Sequence, residues 1–352
     1  MKIVLSLVLT VFVSMSCFVT APFAAAAEKI KLTFVSSYMD RHYLVSHVYK
    51  PWMEEINKRT NGRVEITHFN PNTISPDAET YDAVVSGALD IGAGPMGRNP
   101  GKFPYATLVE MPFVVQSAES GSLAVWDLYK RHKEIQDEFK DSHVLWINTA
   151  ALAHMYSTKK PLLKLEDLHE MKALAVGASQ VELAKALGMV PISTSYPEAY
   201  LSLQRGMADA MIATFPILKS LKINEVTRYV TVCNLRTSGV YHVMNKERWE
   251  SLPEDVKAVF NELSGDLMAQ RIGHALDMSV NEDLEAFKST KNVIEVLSPE
   301  ELAQWRGKIS SVSDTYIKLL EQKGLHNGQA ILDDAIRLGA EWAEKVPTVI
   351  NY

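Results

Sequence analysis

The side chains that could break or make bonds are present, but nothing in their spacing assembles them. There is no G-x-S-x-G elbow, no H-E-x-x-H helix and no Walker-type glycine loop. The ten histidines are scattered, and His42 and His47 lie five apart, off the helical register that would let two imidazoles share a metal. Neither a catalytic set, a metal site nor a cofactor is therefore expected. Cys17 and Cys233 are the two cysteines, and the second reads as a small buried apolar residue. What remains is chemistry of contact. Tyr38 follows the first strand, Trp146 lies in a strand entering the second half, and Phe215 follows a strand that carries Asp209. Aromatic rings in such places bury large area and stack on planar ligands.

The N-terminus bears on where that contact would occur. Lys2 precedes an apolar run over 3–13, and small residues ending in Ala24-Ala25-Ala26-Ala27 follow. This is the layout of a secretory signal, with an A-x-A site before Glu28. The run is too short for a transmembrane span, which takes about 20 residues. Ser14 stands where a lipoprotein signal carries leucine before its cysteine, so Cys17 is not read as a lipid anchor. The formal charge is −6, and losing Lys2, the one charged residue of 1–27, takes it to −7. A mildly acidic chain has no electrostatic footprint for nucleic acid or anionic membranes. A mature chain over 28–352, acting outside the cytoplasm, is expected, and its length suggests two domains.

The elements that must position those residues alternate. Strands are predicted over 29–36, 64–69, 88–92, 143–147, 172–176, 189–193 and 208–213, and helices over 45–57, 80–86, 180–187 and 196–205. Residues 161–169 read as a loop. That order predicts α/β units with a largely parallel core, in two lobes with a ligand cleft between them. The final third is helical. A helix starts at Pro253-Glu254-Asp255 and continues, with breaks at Gly265 and Gly273, to about 288. At 1.5 Å per residue it forms a rod on the order of 50 Å, long enough to run along both lobes. Further helices are predicted over 299–322 and 327–345.

Seven segments, in order, resemble the DctP-type solute-binding proteins of tripartite ATP-independent periplasmic (TRAP) transporters. They are 52–64 (WMEEINKRTNGRV), 86–92 (SGALDIG), Met111-Pro112-Phe113, Lys160-Pro161 with Leu165-Glu166-Asp167-Leu168, Gly206-Met207-Ala208-Asp209, 225–230 (EVTRYV) and 249–255 (WESLPED). The resemblance implies an α/β, two-lobe periplasmic binding protein fold with a long helix spanning both lobes. Residues 28–152 plus 238–280 would form the first lobe, and 153–237 plus 281–352 the second. It further implies closure on a small organic ligand and TRAP membrane subunits as partners.

Within that resemblance the site departs from the family. The family's carboxylate-binding arginine falls on Leu174, a second frequent arginine on His154, and a usual asparagine on Ala213. An unpaired carboxylate in such a cleft would lose several kcal/mol to desolvation. Either another cation takes over, from Arg41, Arg98, Arg236 or a protonated His154, or the ligand is largely apolar or aromatic. Tyr196 matches a position that often carries a ring over the ligand. The expected ligand-binding set is Tyr38, Arg41, Glu79, Arg98, His154, Leu174, Tyr196, Ala213, Thr214 and Phe215. The rival readings are an exported hydrolase, the binding protein of an ATP-driven importer, and the ligand-binding partner of a membrane sensor.

Overall fold

A computed structural model describes residues 29–175, 178–194, 196–288, 292–350 and 352. The expected leader, its cleavage site and Cys17 lie outside these residues, as does the side chain of Tyr196. Eleven strands are described: β1 (Ile30–Ser36), β2 (Val64–Phe69), β3 (Ile91–Pro95), β4 (Ser142–Thr149), β5 (Ala153–Ser157), β6 (Lys172–Ala175), β7 (Val190–Ser193), β8 (Ala210–Ala213), β9 (Tyr229–Arg236), β10 (Gly239–Asn245) and β11 (Val293–Val296). They form two sheets, ordered β2-β1-β3-β10-β4 and β11-β9-β5-β8-β6-β7.

Strand direction decides where a site can form. In the first sheet β1 runs parallel to β2 and β3, while β10 is antiparallel to β3 and β4. In the second, β6 is parallel to β7 and β8, and β5 is antiparallel to β8 and β9. The chain passes between sheets at β4–β5 and at β9–β10. These passages are paired side by side, Gly239 with Thr149 and Ala153 with Arg236, and Ala150 N–H donates to Ser238 O at 2.8 Å. The carboxyl ends of the parallel strands of both sheets therefore turn toward this two-strand hinge. Ligands of open α/β sheets bind outside such ends.

The first sheet packs in a single large core around Phe34, Trp52, Trp146, Tyr241 and Phe260. The second has a core on each face. One joins Tyr156, Leu174, Met211, Ala213 and Phe215 with Val280, Leu284 and Phe287. The other joins Met155, Ala173, Ile212 and Cys233 with Trp305 and Ile309. Neighbouring residues of one strand divide between the two, as the period of two requires.

The C-terminal helices hold the sheets together. Glu254–Leu263 and Gly265–Lys288 are separate helices, divided at Ser264 and at Gly265, whose φ is +57°. The spanning element is thus 24 residues, about 36 Å, rather than the longer rod expected. Gly273 does not break it. A Cβ there would lie 2.6 Å from Glu119 Cα, so this glycine admits the helix Ala118–Arg131 at close range. Asp277, one turn on, accepts from Ala118 N–H and Glu119 N–H at 2.9 and 3.0 Å and caps that helix. The spanning helix buries Met268, Ile272 and Leu276 in the first core and Val280, Leu284 and Phe287 in the second lobe. A second 24-residue helix, Pro299–Gln322, also spans, with Trp305 and Ile309 on the second lobe and Ile317 and Leu320 on the first.

Other expectations needed adjustment. The strand expected over 88–92 is Ile91–Pro95, because Gly87, at φ +78°, turns the chain after the helix Thr80–Val85. The 161–169 loop contains a short helix, Leu165–Leu168. The helix over 45–57 opens with a π turn at Val45–Tyr49 before Lys50–Arg59. The helix Gly328–Lys345, grouped with the second lobe in the sequence division, packs against Ala118–Arg131. Trp342 Nε1 donates to Asp127 at 2.8 Å, and a Cβ on Gly339 would meet Val114 O. No helix among the described residues is long and apolar enough to cross a membrane.

Candidate functional site

The first-lobe edge is built from the turns after β1, β2 and β3. Ser37 and Tyr38 leave β1, and Met96–Arg98 forms a 3-10 turn after β3. Asp77 opens the turn Asp77–Glu79 beyond β2. These turns are tied to one another. Asp77 accepts from Ser37 Oγ at 2.6 Å, receives the Arg98 guanidinium as an ion pair, and has its N–H held by Asn72 Oδ1 at 2.9 Å. Tyr38 stacks on His42 with ring centroids 4.2 Å apart. Burial raises the Tyr38 phenol above its usual pKa, and the nearby Arg98 charge opposes that shift. Burial also drives His42 down to about 4, so its ring is a neutral partner near pH 7. Glu79 is exposed at the end of its turn.

A second network fixes the same loop from behind. Ser36 Oγ meets His68 Nε2 at 2.9 Å, and His68 Nδ1 meets Asp40 Oδ1 at 2.9 Å. The connectivity is that of a serine–histidine–aspartate relay. Yet Ser36 is fully buried, and its Oγ accepts from Tyr38 N–H at 3.3 Å. The hydroxyl is enclosed by the turn it braces. Asn70 Oδ1 accepts from Asp40 N–H at 2.8 Å, so the segment carrying Tyr38 and Arg41 is pinned at Ser36 and Asp40.

The second-lobe edge is different in kind. His154 lies beside Ala213 across β5 and β8 and is enclosed with Phe215. Its Nδ1 accepts from Asn234 N–H at 3.4 Å, and Tyr352 Oη approaches its Nε2 at 3.5 Å. Burial lowers the imidazole to about 3, so His154 supplies no positive charge near neutral pH. Leu174, Ala213 and Phe215 are each at most 2% exposed in one apolar cluster. Thr214 is half-buried and begins the helix Phe215–Ser220. Tyr196 begins the helix Tyr196–Gln204. Trp146 is not at either edge: it is fully buried in the first core and stacked on His242 at 4.1 Å.

The remaining cations separate by their partners. Arg236 pairs with Glu110 at 3.0 Å, the two side chains being 12% and 8% exposed. Glu110 also accepts from Gly239 N–H at 3.0 Å. Burial raises the Glu110 carboxyl, and Arg236 counters it. This pair is part of the hinge. Arg41 is exposed, with no hydrogen-bonded partner found among the described residues. A cavity of about 170 Å³ lies elsewhere, between Phe113, Ser117, Asn234 and Arg306. It is lined by none of the ten expected residues.

The structure thus brings Tyr38, Arg98 and Glu79 to one edge and His154, Leu174, Ala213, Thr214 and Phe215 to the other. Sequence reasoning missed Ser37, Asp40, His68 and Asp77 on the first edge and Asn234 and Tyr352 on the second. Asp77 was legible in principle, since parallel strands place the residues beyond β1, β2 and β3 together. Tyr352, near 200 residues from His154, left no such trace.

Comparison with known proteins agrees with this architecture. Residues 34–319 match the bacterial extracellular solute-binding proteins of family 7. The outer membrane transporter protein TsaT of Comamonas testosteroni is 23% identical over 327 residues, covering 92% of this chain and 91% of that protein. A TRAP solute-binding protein of Rhodoferax ferrireducens, in complex with copurified benzoate, superposes with a TM-score of 0.81 at 23% identity over 90% of this chain and 99% of its own. One from Bordetella bronchiseptica, with bound (R)- and (S)-mandelate, superposes with a TM-score of 0.76 at 25% identity over 89% and 99%. The chain belongs to the DctP family of extracellular solute-binding proteins, whose members bind small organic ligands and work with the membrane subunits of TRAP transporters.

Proposed function

We propose that this protein captures an aromatic or largely apolar monocarboxylate in the periplasm and passes it unchanged to TRAP membrane subunits. The observation that carries the reading is the second-lobe edge. Where a dicarboxylate or sugar acid would need charge compensation, it presents Leu174, Ala213 and an uncharged His154. A second anionic group there would pay the desolvation of an unpaired charge. The benzoate and mandelate held by the two similar structures are ligands of this chemistry. The ligand-binding set is that expected from sequence without Arg41, namely Tyr38, Glu79, Arg98, His154, Leu174, Tyr196, Ala213, Thr214 and Phe215, with closure about the β4–β5 and β9–β10 passages. Export follows from the leader over 1–27, and the mature protein acts as a monomer with no turnover.

A thermal-shift panel tests the ligand class. Benzoate, 3-hydroxybenzoate and mandelate should raise the melting temperature, whereas succinate, malate and sialic acid should not. A tight succinate complex would overturn the reading. Intact mass of the periplasmic protein should place its first residue near Glu28, and recovered ligand should be chemically unaltered.

A further inference from the structure

We infer that Arg98, braced by Asp77 beside Tyr38, receives the carboxylate of the ligand, so that the charge handle sits on the first lobe. The inference rests on the aromatic-acid reading and fixes the orientation of the ligand within it.

The other cations considered drop out on geometry. Arg236 is committed to Glu110 inside the hinge, where Glu110 also holds the Gly239 amide. His154 is enclosed among Phe215, Asn234 and Tyr352. Arg41 is exposed and held by no partner among the described residues, so fixing it on a ligand would carry the full loss of its rotamer freedom. Arg98 is different. It lies at the carboxyl end of β3, its side chain is 45% exposed, and one face of its fork is already docked on Asp77. Asp77 is in turn fixed by Ser37 and Asn72. A guanidinium presents five donors in a rigid plane, so one edge can serve Asp77 while another meets a carboxylate. Ser37 shares the charge of Asp77, which lessens its competition with an incoming anion.

Tyr38 completes the pair. Its ring is half-buried against His42, and its phenol lies within the field of Arg98. A ring and a fixed cation on one edge match the two ends of an aromatic acid. With the carboxylate on the first lobe, the apolar body extends toward the Leu174 edge. Recognition then begins on the first lobe alone, and closure adds apolar burial.

The test uses the full mature chain with benzoate and its neutral isostere benzamide, by calorimetry. Wild-type protein should prefer benzoate by roughly tenfold or more, a difference of about 1.4 kcal/mol. Arg98→Ala should abolish that preference while leaving benzamide affinity within about threefold. Arg98→Lys should restore part of it, since charge returns without the fork. Arg41→Ala should keep the wild-type ratio. A preference that survives Arg98→Ala, or vanishes in Arg41→Ala, overturns the assignment but leaves the aromatic-acid reading standing. Failure of wild-type protein to bind benzoate, 3-hydroxybenzoate or mandelate removes both.

Discussion

The two edges that face the hinge are made of the same kind of strand end, yet one is polar and braced while the other is apolar and sealed. On the first lobe, Ser36, Ser37, Asp40, His68 and Asp77 spend their hydrogen bonds on holding turns in place. On the second, Leu174, Ala213 and Phe215 are packed with Val280 and Leu284 from the spanning helix. The same side chains that would line a ligand on that edge also belong to its core. A side chain lost from the second edge is therefore expected to cost the fold more than one lost from the first.

Truncation at each edge should show the contrast most strongly. Phe215→Ala should lose about 3–5 kcal/mol of unfolding free energy in urea, because its ring is buried against Tyr156, His154 and Phe287. Ser37→Ala should lose no more than about 1 kcal/mol, as one partly exposed hydrogen bond. Equal losses would erase the distinction.

The histidines give the next largest effect. Burial pushes the His154 imidazole down to about 3 in the folded chain, against about 6.5 when unfolded. Its folded pKa is depressed, and the acid form is the charged one, so the unfolded chain binds the extra proton. Stability attributable to it is full above pH 6.5 and falls as pH drops toward 3. The slope is about 1.4 kcal/mol per pH unit for one proton. Urea titrations of wild type and His154→Phe between pH 7 and 4 should differ by that slope. Burial also lowers His68, but its hydrogen bond to Asp40 opposes the shift, so His68→Phe should flatten the profile less. A steeper dependence on His68 would reverse the assignment of the sealed edge.

A smaller effect sharpens the picture at Tyr352. Its hydroxyl donates to Asn234 Oδ1 at 3.0 Å. Tyr352→Phe should lose about 1 kcal/mol, read as a lower melting temperature without ligand. No change would mean the ring alone seals that corner. The smallest effect has the opposite sign. Gly307 lies within the helix Pro299–Gln322 with open space where a Cβ would stand. Gly307→Ala should stabilise the fold by about 0.5–1 kcal/mol. If it also weakens ligand binding, flexure of that helix takes part in closure.

Much of this architecture was readable from sequence, and what was not has physical causes. β1 and β2 announced themselves because their outward positions are polar, Lys31 and Glu65 among them. β5 and β10 did not, since they are buried at every position and show no alternation. The break at Gly265 was legible as a glycine in a helical run. Gly273 carried the same signal with the opposite meaning, because its lack of a Cβ serves close helix packing. At the site, Leu174 and Ala213 were noticed as departures from a family pattern. That they would be sealed by Val280 and Phe287, more than 60 residues distant, depends on tertiary packing that no local spacing encodes. Arg236 looked like a free cation, and only the fold shows it committed to Glu110, 126 positions away.

The spanning elements have a mechanical consequence. Among the described residues the chain passes between lobes at 149–153, at 236–239, along Gly265–Lys288, along Pro299–Gln322, and once more after Val346, where the tail from the first-lobe helix brings Ile350 and Tyr352 to the second. These five passages place Ile30 and Tyr352 on different lobes. Springs in parallel add their stiffness. Lobes joined this way cannot wander independently, as they would on a single tether. Any closure of one lobe on the other must bend all of these passages together.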